Sequence, residues 1–305
     1  MTYAAIAREK AAIVERTGLL GEGGAHTGRQ VVARFFLEGF GTAEQCAAWL
    51  PRLASVAISE PRVGAHPKLL TTRAEVDTDG YTINGEKAWV TNGPLADVFI
   101  VLAMTAVEDG RKRYSALLVP RDTPGLSIDE APQYRALAPS RHCGLRLAGC
   151  RVPHTALLGA AGTAYESMAL PFRDVEDAVG TFGLLGAFRF LLTRLATHAE
   201  GDEAALSLGS LAALAAVHEQ AAIAVVAALD EGALPRVAAT LVGLRVLAAC
   251  WLRQARSFAE AHGAAGDAAV TRVFVDLDTS IAVARGPRQV RQARLGQALM
   301  AVARR

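Results

Sequence analysis

Few side chains in this sequence combine reactive chemistry with a telling position. Glu166, in Tyr165-Glu166-Ser167-Met168, is a carboxylate ahead of a long apolar run. Such a group can serve as a general base, or simply favour the dipole of a first helical turn. Trp89 and Thr91, in Trp89-Val90-Thr91-Asn92-Gly93, read on their own as a core aromatic and a strand-end hydroxyl. Arg285 stays protonated at physiological pH, so it can meet an anion but cannot take a proton. Cys46, Cys143, Cys150 and Cys250 show no Cys-x-x-Cys spacing and no histidine pair to complete a zinc site. His66 reads as a turn histidine, and His142, His154, His198 and His218 as isolated surface or interface residues. The chain contains no dinucleotide fingerprint, phosphate loop, Gly-x-Ser-x-Gly elbow or His-Glu-x-x-His helix.

The elements that must position these groups fall into three stretches. Residues 3–17 read as a helix broken by Gly21-Glu22-Gly23-Gly24, followed by helical runs 30–37 and 43–50, the last with Thr42 as N-cap. Short β-rich runs occupy 56–159, bounded by Gly, Pro, Asp or Asn. Asp79-Gly80 and Asn84-Gly85 are the dipeptides best suited to two-residue hairpin turns. Several short strands at this spacing predict a closed or sandwich-like β unit. Beyond Ala164, alanine- and leucine-rich runs at 175–198, 203–229, 234–262, 268–284 and 289–303 predict long helices in an antiparallel bundle.

Composition bounds the function class. The chain has 305 residues and is 51% hydrophobic, enough for two or three packed units. Its 32 basic and 30 acidic residues nearly cancel, which gives no field for nucleic acid or a membrane surface. The apolar runs 221–229 and 237–252 are shorter than the ~20 residues of a membrane span and read as buried helices. The N-terminus lacks a continuous apolar core of the signal-peptide type, so a cytoplasmic location is expected.

The ordered string from Val56 to Asp97 resembles the central domain of the acyl-CoA dehydrogenase family. Its matching pieces are Ser59-Glu60-Pro61 with Gly64, Thr72-Arg73-Ala74, Asp79-Gly80, Asn84-Gly85-Glu86-Lys87 and Trp89-Val90-Thr91-Asn92. Val152-Pro153 and Leu157-Leu158-Gly159 resemble the family's exit into its C-terminal helices. The resemblance implies an α+β multidomain fold: a shortened N-terminal helical domain at 1–55, a central β-barrel or sandwich domain at 56–160, and a C-terminal helical bundle at 161–305. It also implies FAD-dependent α,β-dehydrogenation of an acyl-CoA or other acyl thioester.

On that resemblance Thr91 would meet flavin N5, Trp89 would pack along the ring, Ile58 and Ser59 would meet the pyrimidine edge, and Gly64 would lie on the phosphate side. Ala65 and His66 stand where the family has Ser-Asp, and Glu260 replaces the glutamine of the element ending in Gly263-Ala264-Ala265-Gly266. Arg285 occupies the usual position of the catalytic glutamate, and Val275 that of an arginine beside Asp276. Glu166 is then the nearest displaced base, ahead of Glu176 and Asp177. The family also implies a homodimer, a homotetramer or a mixed oligomer with a paralogue through the C-terminal bundle. A catalytically silent partner of an active paralogue is therefore the alternative to a working dehydrogenase, and no metal is expected.

Overall fold

The computed structural model describes residues 1–135 and 137–303. The helices are α1 (Tyr3–Thr17), α2 (Leu20–Val32), α3 (Glu38–Phe40), α4 (Ala43–Trp49), α5 (Leu170–Ala196), α6 (Gly201–Asp230), α7 (Ala238–Ala261), α8 (Ala268–Ala282) and α9 (Arg285–Ala303). The strands are β1 (Ala54–Ala57), β2 (Arg73–Val76), β3 (Gly80–Thr91), β4 (Val98–Glu108), β5 (Arg111–Pro120), β6 (Leu126–Asp129), β7 (His142–Pro153) and β8 (Leu157–Leu158). Contacts group these into two compact units, Ala25–Val175 and Met1–Gly24 with Glu176–Arg305. This partition differs from the chain-order division at 55 and 160, because α1 packs among the C-terminal helices.

In the first unit the strands form one eight-stranded sheet in the order β6-β7-β3-β2-β4-β5-β8, with β1 beside β4. The expected barrel is not closed. The four-residue β2 meets β4 through a single register pair, Arg73 with Met104, and β6 and β8 remain as the two ends. Asp79-Gly80 makes the expected turn, with Asp77 Oδ1 accepting from both of their N–H groups at 2.9 and 3.0 Å. Asn84-Gly85 does not make a turn. It lies inside β3 at a register shift, where Gly85 has φ +146° and a Cβ would stand 2.6 Å from Thr72 Cα. Glycine is required there by the close passage of another backbone rather than by a chain reversal.

Thr42 caps α4 as expected. Its hydroxyl accepts from Gln45 N at 3.2 Å, and Gln45 Oε1 accepts from Thr42 N at 3.0 Å, a full capping box. Two π-helical turns, Ala33–Leu37 and Tyr165–Ala169, interrupt the helices around them. The first places Phe35 and Phe36 against Phe172, with ring centroids 5.3 and 4.7 Å apart.

In the second unit the break after α1 comes at Gly18, a left-handed C-cap whose N–H donates to Val14 O. The Gly21–Gly24 cluster, expected to break the helix, lies within α2. A Cβ on Gly23 would stand 2.6 Å from Val14 Cγ2, so Gly23 lets α1 approach closely. Asp230 caps α1, accepting from Tyr3 N and Ala4 N at 2.8 and 2.9 Å. Phe188 stacks on the fully buried Trp251 at 4.1 Å, and the Trp251 indole donates to Leu211 O at 2.9 Å.

The expectation that runs 221–229 and 237–252 are simply buried is corrected. Tyr165–Ala196, Gly201–Asp230 and Leu234–Ala261 are each long and apolar enough to cross a membrane by length and composition. Only 39% and 22% of the most apolar windows of the last two are buried, and their exposed residues include Leu206, Val217, Ile223 and Val246. His218 is also corrected: it is fully buried, with Nε2 3.0 Å from Thr181 O.

Candidate functional site

The C-terminal end of β3 carries the candidate cofactor groups. A regular strand would put residues 87, 89 and 91 on one face. A register shift between Lys87 and Val90 breaks that alternation: Lys87 and Ala88 both turn inward, while Trp89 is 52% exposed. Trp89 has φ +59° and Asn92 φ +60°. Left-handed backbone is uncommon for a bulky residue and gathers at functional sites. Thr91 is exposed beside them. The strand end therefore presents an indole and a hydroxyl together.

Two flanking groups were not legible as site residues. Register pairs Thr91 with His142 on β7, and His142 Nδ1 lies 3.3 Å from Thr91 Oγ1. His142 is half-buried, and its ring faces Trp89 edge-on at 6.5 Å. Tyr134 also meets Trp89 edge-on, at 5.2 Å. Both contacts come from segments distant in sequence, β7 for His142 and the turn Pro132–Tyr134 for Tyr134, and the local sequence carries no signal for either.

Ile58 and Ser59 are brought against β3. Lys87 Nζ donates to Ile58 O at 3.1 Å, and Ala88 N donates to Ser59 O at 2.9 Å. Gly64 closes the turn that follows, exchanging backbone hydrogen bonds with Glu60 at 2.9 and 3.0 Å. Beneath this loop Lys87 and Glu60 form an ion pair at 3.0 Å, with side chains 0% and 4% exposed. Burial works against the Glu60 carboxylate, but Lys87 and the hydrogen bonds from Thr71 and Thr72 outweigh it and lower its pKa to about 2. Burial also lowers the Lys87 ammonium to about 8 against the pull of Glu60.

Glu166 lies in the π-turn Tyr165–Ala169 and is exposed. Its neighbour Tyr165 donates to Ala65 O at 3.1 Å, and Tyr114 donates to Pro67 O. The turn that carries Glu166 is thus held through Tyr165 to Ala65, beyond the Glu60–Gly64 turn, while Trp89 and Thr91 stand at the strand end. His66, on that loop, is exposed.

In the helical unit, Asp177 is tied to Arg245 at 3.1 Å and to Arg288 at 2.5 Å. Burial opposes its charge, but the two guanidiniums prevail and hold the carboxyl below its ordinary value. A carboxylate so paired makes a poor base. Arg285 and Glu260 are exposed, at the start of α9 and near the end of α7. Among the described residues, no cluster of His, Cys, Asp and Glu could hold a metal ion.

The fit to a flavin is uneven. The exposed indole, the Thr91 hydroxyl and the Ser59 segment suit a planar heteroaromatic ring with carbonyl edges. The Gly64-Ala65-His66 segment offers no hydroxyl for a pyrophosphate, and a Cβ on Gly64 would meet nothing within 4 Å. The ring side of the cradle fits better than its phosphate side.

Residues 55–150 match the family model described as acyl-CoA dehydrogenase, middle domain. Isobutyryl-CoA dehydrogenase of Dictyostelium discoideum is 35% identical over 154 residues, 48% of this chain and 37% of that protein. The matched stretch thus spans little more than a third of that relative's length. The crystal structure of an acyl-CoA dehydrogenase from Geobacillus kaustophilus superposes with a TM-score of 0.79 at 21% identity, covering 94% of this chain and 81% of that one. A glutaryl-CoA dehydrogenase from Mycobacterium smegmatis in complex with FADH2 gives 0.73 at 24% identity, covering 90% and 72%. The sheet from β1 to β7, with the strand end carrying Trp89 and Thr91, therefore lies within an acyl-CoA dehydrogenase middle domain.

Proposed function

We propose that this chain is an acyl-CoA dehydrogenase-like flavoprotein that binds FAD at the end of β3 and acts on an acyl-CoA or related acyl thioester. The observation that carries this reading is the exposed Trp89 and Thr91 pair beside the loop bearing Ile58 and Ser59. Bound FAD would supply a hydride acceptor for the substrate β-carbon. The chain's own part would be to orient the ring through Thr91, Trp89 and Ser59, and to take the α-proton on a carboxylate. Glu166 is that carboxylate in this proposal, because Asp177 is occupied by two arginines and Arg285 cannot accept a proton.

A second reading is favoured by Arg285 and the exposed Glu260. A chain whose base position holds a guanidinium can act as a silent subunit beside an active paralogue, assembled through the C-terminal helices. The visible absorption spectrum of the purified protein, before and after adding FAD, separates the two. Stoichiometric flavin bands that bleach anaerobically with an acyl-CoA support the enzyme, and Glu166→Gln should then abolish bleaching. A protein that takes up no FAD refutes the enzyme reading and favours the silent subunit.

A further inference from the structure

Lys87 and Glu60 form the most deeply buried ion pair among the described salt bridges, and the flavin reading gives them no role. Folding alone does not explain them, since apolar residues of similar volume often serve a core as well or better. Their hydrogen bonds show what they do. Lys87 Nζ donates to Ile58 O at 3.1 Å. Glu60 Oε2 accepts from Thr71 N and Oγ1 at 2.7 and 2.8 Å, and its Oε1 accepts from Thr72 N at 2.9 Å. The pair therefore fastens both ends of the segment running from Ile58 to Thr72, with the Glu60 to Gly64 turn inside it.

This fastening decides which atoms of the segment remain available. The carbonyl of Ile58 is taken up by Lys87 and that of Ser59 by Ala88 N. The Ser59 N–H and hydroxyl have no hydrogen-bond partner among the described residues. The segment consequently turns acceptors inward and leaves donors for a ligand, which suits the carbonyl-bearing edge of a pyrimidine ring.

We propose that Glu60 and Lys87 are positioning residues that present the Ser59 donors to the flavin's pyrimidine edge. This assignment rests on the flavin reading above. Neither side chain touches the ligand; both act through Ser59.

The test is a double-mutant cycle on FAD affinity in the full chain, followed by quenching of tryptophan fluorescence, with far-UV circular dichroism to confirm folding. The variants are Ser59→Ala, Lys87→Met and the pair together, with Glu60→Gln as the milder substitute if Lys87→Met does not fold. Ser59→Ala and Lys87→Met should each weaken FAD binding about tenfold or more. In the Lys87→Met or Glu60→Gln background, Ser59→Ala should add less than about threefold, because the hydroxyl it removes is already misplaced. A folded Lys87→Met or Glu60→Gln chain that binds FAD as tightly as wild type, or effects that simply multiply, overturns the positioning role and leaves the flavin reading standing. A wild-type chain that takes up no FAD overturns the flavin reading and this assignment with it.

Discussion

Replacing Asp177 by Asn should be among the most damaging near-isosteric substitutions in the helical unit. The Asp177 side chain is 7% exposed, and the guanidiniums it holds, Arg245 and Arg288, are 12% and 17% exposed. The substituted amide could still accept a hydrogen bond through its oxygen but would leave two cations facing each other without a counter-charge. Breaking a buried pair by removing one partner costs about 3–5 kcal/mol. Arg288, on α9, has more access to solvent, so the lower end, about 3 kcal/mol, is expected. Urea unfolding followed by circular dichroism should show a lower midpoint with an unchanged slope. Asp177→Asn combined with Arg245→Met should recover most of the loss, because the deeper uncompensated cation is then gone. The sign with pH follows from the lowered Asp177 pKa: its contribution is present above the unfolded carboxyl value and is lost as pH falls through the folded one. A loss below about 1 kcal/mol, or no recovery in the double variant, would refute the view that this carboxylate holds α5, α7 and α9 together by charge.

His218 gives a second pH dependence. Burial lowers its pKa to about 4, so the folded chain resists a proton that the unfolded chain accepts near 6.5. Stability should fall by about 3 kcal/mol as pH drops from 6.5 to 4, and a His218→Gln variant should lose that slope in calorimetric melts. Gly85→Ala must place a Cβ 2.6 Å from the Thr72 backbone at φ +146°, which should cost about 3 kcal/mol or more in urea titrations. Thr42→Ala removes one arm of the α4 capping box and should cost about 1 kcal/mol by the same assay, with Thr42→Ser restoring it.

Local chemistry made parts of this architecture readable. The Thr42 cap and the Asp79-Gly80 turn were visible because each is completed within a few residues. The long C-terminal helices were visible because their composition persists over many turns. Asn84-Gly85 misled because the same dipeptide that permits a hairpin also permits a backbone to pass at close range, and only Thr72, from outside that strand, distinguishes the two. The open sheet was hidden for a related reason, since closure depends on whether the end strands β6 and β8 pair, and neither stretch records that locally. At the site, Trp89 and Thr91 were read from family-like order, whereas His142 came from the register of β3 with β7 and Tyr134 from a ring contact made by the turn Pro132–Tyr134. Glu60 and Lys87 were both within quoted motifs, yet nothing in their spacing said that one neutralises the other in the interior.

The π-helical turn at Tyr165–Ala169 bears on how Glu166 should be compared with other proteins. Such a turn inserts one residue into the helical count, and each residue advances the helix by about 100°. Counting backward from α5 along an uninterrupted helix therefore points residue 166 along the wrong azimuth by roughly that angle. A relative that lacks the insertion would carry its spatial equivalent of Glu166 one place away in an ungapped alignment. Substitution tables built from such alignments would then score a neighbour in its stead, and a mutagenesis scan of this segment should run through all five residues of the turn rather than one.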